Sequence, residues 1–131
     1  YKIQDRVKRI TGETATLIRF PGGSSNTVSR RYDGGTHIMS KLSKMVQDKG
    51  FYYFDWNVTS GDAAGTPISS DQVYKNVIKS LREDYSVVLQ HDIKGFSVNA
   101  VEKIIQYGLN NGYTFERLTE TSPGAHHGIN N

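Results

Sequence analysis

Four short runs of β-branched and aromatic residues alternate with amphipathic helical stretches, and this alternation constrains the fold more than any other feature. The runs are 15–20 (ATLIRF), 51–58 (FYYFDWNV), 86–90 (SVVLQ) and 113–118 (YTFERL). Consecutive runs begin roughly 27–36 residues apart, about the length of one βα unit. Strands joined through helices imply right-handed crossovers and a parallel sheet, open or barrel-like. The sequence therefore predicts an α/β fold over residues 1–131. No motif recurs at the period, so the unit is βα and not a solenoid repeat.

The intervening segments carry helical spacing. Ile3, Val7 and Ile10 mark an opening helix, and Gly12 is placed to stop it. No capping residue precedes Ile3, and the chain starts at Tyr1, so a helix cut at its start and a missing N-terminal part are expected. Pro21 to Asn26 reads as a loop. Gly34-Gly35-Thr36 opens a helix with Ile38, Met39, Leu42, Met45 and Val46 on its apolar face and Gly50 as its stop. Ser69 with Gln72 predicts a capping box before a helix that buries Val73, Tyr74, Val77, Ile78 and Leu81. Ser97 is expected to cap the last helix, with Val98, Val101, Ile104, Ile105 and Leu109 on one face and Gly112 at its end. A polar tail follows Leu118.

Composition narrows the class. At 131 residues the chain is one domain or part of one, and an α/β barrel usually needs more. Hydrophobic residues at 36% and charged residues at 22% fit a globular fold. The net charge of +3 is spread out, its densest group being Lys8-Arg9, which argues against a nucleic-acid partner. A weak attraction to anionic wall polymers is compatible with it. Without cysteine the chain has no disulfide and no thiolate metal site. No apolar stretch is long enough to span a membrane.

In parallel α/β folds the site lies at the C-terminal ends of the strands. Reactive residues collect there three times: Arg19 after the first run, Asp55, Trp56 and Asp62 at or beyond the second, and His91-Asp92 after the third. Arg19-Phe20-Pro21-Gly22-Gly23, then Asp55-Trp56-Asn57-Val58-Thr59-Ser60-Gly61-Asp62, then Leu89-Gln90-His91 resemble, in order and spacing, the last three of five motifs of the NodB-type polysaccharide deacetylases (carbohydrate esterase family four). Tyr113 to Leu118 resembles that family's final strand. The resemblance covers nearly the whole chain and implies the C-terminal half of a (β/α) deacetylase barrel.

It also implies a chemistry. Such enzymes hydrolyse N-acetyl groups of sugar polymers with a divalent metal, often zinc; an aspartate is the base and a histidine protonates the leaving amine. His91 matches that histidine, and Asp62 the carboxylate that supports it, with Asp55 as rival. Arg19 matches the arginine that orients the catalytic base. Pro21 and Gly22 fall in the substrate loop, Gly22 at a usual tyrosine position whose backbone N–H helps hold the oxyanion. Leu89 matches an apolar wall of the acetate pocket. Ala63 replaces the usual tryptophan; Trp56 refills that space or is core, and among Phe51, Tyr52, Tyr53 and Phe54 core is the better reading.

The two remaining family motifs, with the base and the metal ligands, are absent here, so no metal site is expected in this chain and the chain alone is expected to be inactive. His126 and His127 are adjacent in a polar tail, a poor arrangement for a shared metal. Expected partners are an N-acetylated, peptidoglycan-like polysaccharide and, across an open sheet edge, the missing N-terminal half or another copy of the chain. The expected setting is extracytoplasmic and bacterial. The rival function is a non-catalytic module that binds wall glycan or serves assembly. A sugar-phosphate half-barrel rests on fold analogy alone.

Overall fold

The computed structural model describes residues 1–32 and 37–130. In chain order its elements are α1 (Lys2–Thr11), β1 (Leu17–Ile18), a 3-10 helix (Val28–Arg31), α2 (Ile38–Asp48), β2 (Tyr52–Tyr53), β3 (Val58–Thr59), α3 (Ser70–Ile78), β4 (Val88–Leu89), α4 (Gly95–Val98) and α5 (Val101–Asn110). The fold is α/β with parallel strand pairs, as the alternation predicts. The chain divides into two compact units, Tyr1–Asp55 with Leu118–Asn131, and Trp56–Arg117.

In the first unit β1 runs parallel to β2, with Leu17 opposite Tyr52 and Ile18 opposite Tyr53. Phe20, Met39 and Tyr53 form its core, with Ile18, Ile38, Leu42 and Val46 packed against them. Removing each such side chain from water contributes about 1.5–3 kcal/mol. Met45, expected on the apolar face of α2, is exposed. The start of that helix at Gly34-Gly35-Thr36 lies outside the described residues. α1 ends where predicted: Gly12 takes the left-handed conformation (φ 78°) and donates its N–H to the Lys8 carbonyl. Its apolar residues Ile3 and Ile10 are nonetheless exposed.

The segment after Leu118 is tied down, which corrects its reading as a polar tail. The Asp55 N–H donates to the Ala125 carbonyl at 2.6 Å. The His126 ring stacks on Tyr53 at 4.2 Å, and its Nε2 donates to the Tyr53 carbonyl at 3.0 Å. Backbone groups beside Tyr53 need partners as they become buried, and residues 125–126 supply them.

In the second unit β3 runs parallel to β4, with Val58 opposite Val88 and Thr59 opposite Leu89. Val58, Val73, Val77, Ala100 and Ile104 form its core, and Tyr74, Leu81 and Phe96 pack against it. Ser69 caps α3, its hydroxyl accepting the Gln72 N–H. The reciprocal half of the capping box is not made, because the Gln72 amide donates to Asn76 instead.

Three boundaries differ from expectation. Residues 51–58 are not one strand: β2 pairs with β1, and β3 pairs with β4. The last helix begins at Val101 behind Ala100, and Ser97 lies inside the short α4 with its hydroxyl committed elsewhere. Residues 113–118 form no strand. A strand exists only through a neighbour's hydrogen bonds, and here the Tyr113 N–H turns back to the Gly108 carbonyl at 2.9 Å. The Phe115 ring then lies so close to Gly108 that a Cβ there would meet it at 2.6 Å.

Candidate functional site

Asp62 follows β3 through the turn Ser60-Gly61. Gly61 has φ 77°, and a Cβ on it would lie 2.8 Å from Asn76 Nδ2. Asn76 reaches there from α3 to donate to the Ser60 carbonyl at 3.0 Å. Both constraints call for glycine, and together they bring the next residue inward. Asp62 is 2% exposed.

Four donors converge on it. The His91 N–H (2.7 Å) and the Ser97 hydroxyl (2.6 Å) both reach Oδ2. His91 Nδ1 lies 2.8 Å from Oδ1, and Ser60 adds a further hydrogen bond. Burial pushes the Asp62 carboxyl up, but the bonds from Ser97, His91 and Ser60 outweigh it and hold the group at about 2. A carboxylate only accepts, so Nδ1 carries the proton of the neutral ring. Nε2 is then the nitrogen left for outside chemistry, on a side chain that is 31% exposed. Such a pair can hand a proton outward and stabilise the imidazolium from behind.

Asp55, in the first unit, is just as buried. Its Oδ1 accepts the Ser24 N–H at 2.7 Å. Its Oδ2 accepts the Ser24 hydroxyl and the His127 N–H at 2.8 Å. Burial acts to raise its carboxyl too, and the Ser24 and His127 bonds with the His127 charge carry it below its ordinary value. Asp55, the rival to Asp62 in the sequence, thus has its oxygens taken up by the loop and by residue 127. The His127 ring points to Ser25 instead, with Nδ1 3.2 Å from the hydroxyl.

The structure brings Asp62 and His91 together as expected. Leu89 lies half-buried in β4 directly before them, and Trp56 is half-buried in the same unit. Arg19, Pro21 and Gly22 are exposed residues of the first unit. Gly22 has φ 73°, and a Cβ there would meet Asn26 at 3.2 Å, so the loop is shaped for glycine. Sequence reasoning missed Ser97, Ser24, Ser60 and the His127 N–H. A serine signals a cap or a turn in sequence, and nothing local shows that its hydroxyl serves a distant carboxylate.

Among the described residues no group of three or more His, Asp or Glu side chains is placed to hold a metal ion.

Fold and site together define an α/β domain organised around a buried carboxylate–imidazole pair at the end of a parallel strand. Solved and curated proteins similar to the chain can be set beside that class. Over 99% of its residues the chain matches the crystal structure of the catalytic domain of peptidoglycan N-acetylglucosamine deacetylase from Eubacterium rectale, with TM-score 0.95 and 56% identity, covering 59% of that chain. It matches the polysaccharide deacetylase Bc1974 from Bacillus cereus with TM-score 0.76 and 28% identity, over 95% of this chain and 58% of that one. A peptidoglycan-N-acetylglucosamine deacetylase of Bacillus cereus is 27% identical over 126 residues, 93% of this chain and 46% of the relative. No family model matches the chain. The chain thus spans less than two thirds of each of these proteins. The resemblance to NodB-type polysaccharide deacetylases holds in sequence and in three dimensions.

Proposed function

We propose that this chain is the C-terminal part of a metal-dependent deacetylase domain that hydrolyses N-acetyl groups of a peptidoglycan-like polysaccharide outside the bacterial cell. The observation that carries the reading is the Asp62–His91 pair, with 2.8 Å between carboxylate and Nδ1 on a fold whose solved relatives are named deacetylases. Amide hydrolysis adds water across the C–N bond, releasing acetate and an amine. The amine nitrogen must gain a proton as that bond breaks. His91 Nε2 supplies it as general acid, while Asp62 holds the ring and supports its charge. Leu89, just before this pair, walls the acetate methyl; Trp56 packs in the same unit. Arg19 orients the base, and the Pro21-Gly22 loop presents a backbone N–H to the oxyanion. A divalent metal, zinc foremost, would supply the activated water and would be held by residues other than those described here. A covering neighbour for the strand edges, either the rest of the domain or a second copy, belongs to the same proposal.

The test is acetate release from an N-acetylglucosamine polymer by the full protein with added zinc. His91→Ala is expected to reduce turnover about 100- to 10,000-fold with metal content unchanged. Undiminished acetate release by that variant removes the acid assignment. No release from the unaltered protein leaves a glycan-binding module as the reading.

A further inference from the structure

We propose that Ser97 is a positioning residue for the carboxylate–imidazole pair, fixing the rotation of Asp62 so that Oδ1 is presented to His91. The proposal rests on the reading of His91 as the acid and adds a residue to that site.

Ser97 is 1% exposed, and its hydroxyl makes two bonds. It donates to Asp62 Oδ2 at 2.6 Å and accepts from the Gln90 amide at 3.2 Å. The same Gln90 nitrogen donates to the Ser97 carbonyl at 3.1 Å, fixing α4 next to His91. A hydroxyl that accepts one bond donates its own more strongly, so the chain Gln90–Ser97–Asp62 is polarised toward the carboxylate. A carboxylate turns readily about its last torsion. Two donors on Oδ2, the Ser97 hydroxyl and the His91 N–H, stop that rotation. The His91 N–H belongs to the residue being oriented, and Ser60 lies on the same turn as Asp62, so among these donors Ser97 is the one that reaches the carboxylate from a separate element. Without it Asp62 can turn its oxygens unequally between the His91 backbone and ring.

Nuclear magnetic resonance of the full protein, labelled at histidine and aspartate, reads this without turnover. In the unaltered protein the neutral His91 ring is expected as the Nδ1–H tautomer, with Asp62 titrating near 2. Ser97→Ala is expected to raise the Asp62 midpoint by about one pH unit and to mix the His91 tautomers while the remaining spectrum keeps its dispersion. A folded variant with both signals unchanged overturns the proposal. Should the alanine variant not fold, Ser97→Thr and Ser97→Val form a pair of equal shape. Threonine is expected to keep the Asp62 midpoint and valine to raise it; equal midpoints overturn the proposal. Failure of the acid reading shows differently, as altered resonances in S97A beside undiminished acetate release by H91A.

Discussion

The molecule holds two buried aspartates that look alike in sequence and almost alike in surroundings, yet their geometry supports different work. Each carboxylate accepts a serine hydroxyl and the backbone N–H of a histidine. At Asp62 that histidine also turns its ring to the free oxygen, at 2.8 Å. At Asp55 the remaining oxygen goes to the Ser24 N–H, and the His127 ring faces Ser25. A carboxylate joined to a half-exposed imidazole can take part in proton transfer. One saturated by backbone and hydroxyl donors holds a loop and a chain segment together. Burial alone does not separate the two aspartates; the direction of one ring does.

The largest expected effect breaks the pair at Asp62. Asp62→Asn removes the charge behind His91 and sets an amide against its donors. Acetate release by the full protein is expected to fall about 100- to 10,000-fold. A fall of less than about tenfold would place Asp62 beside Asp55 as a clamp. Asp55→Asn should register in stability instead. Its –NH2 would oppose at least one of three donors in a site that water does not reach, at a cost of about 3 kcal/mol. Urea unfolding measures this, and an unchanged midpoint would mean that the segment after Leu118 does not depend on Asp55.

Acid sensitivity comes next in size. The folded Asp62 carboxyl titrates at about 2, below its ordinary 3.8. A carboxyl with a depressed folded value binds fewer protons in the folded state near pH 3. Its contribution is therefore complete above about pH 4 and is lost as pH falls through about 2. The loss amounts to about 2 kcal/mol. Asp55 is shifted in the same direction and adds to it. Asp62→Asn should flatten the stability curve between pH 4 and 2 relative to the unaltered protein. A parallel curve would mean that Asp62 is not the group that titrates.

How much of this was legible depended on whether the deciding contact is local. Helical period and stop signals act within a few residues, so α1 up to Gly12 and α3 behind Ser69 were readable. Spacing also brought Asp62 and His91 to adjacent strand ends. Pairing is non-local, and so Phe51 to Val58 read as one strand although its two ends take different partners. Residues 113–118 have strand composition but no strand beside them among the described residues, and composition cannot report that. Ser97 was the sharpest loss. A serine before an apolar helical face is a sound capping signal, and only the fold shows its hydroxyl turned to a carboxylate 35 positions earlier.

The smallest expected effect tests the clamp by its chemistry. If Asp55 holds residue 127 through the main chain, the His127 ring matters little. His127→Ala keeps the N–H at Oδ2 and loses the ring, with its half-buried contact to Ser25 and its charge near Asp55. Its cost in urea unfolding should stay below about 1 kcal/mol. His127→Pro deletes the N–H itself, leaves an oxygen of a buried charge short of a donor, and should cost more, about 2 kcal/mol. The order of the two variants is the informative result. Were alanine the more damaging, the ring would be the working part of residue 127, and the two aspartates would be alike in function as well as in burial.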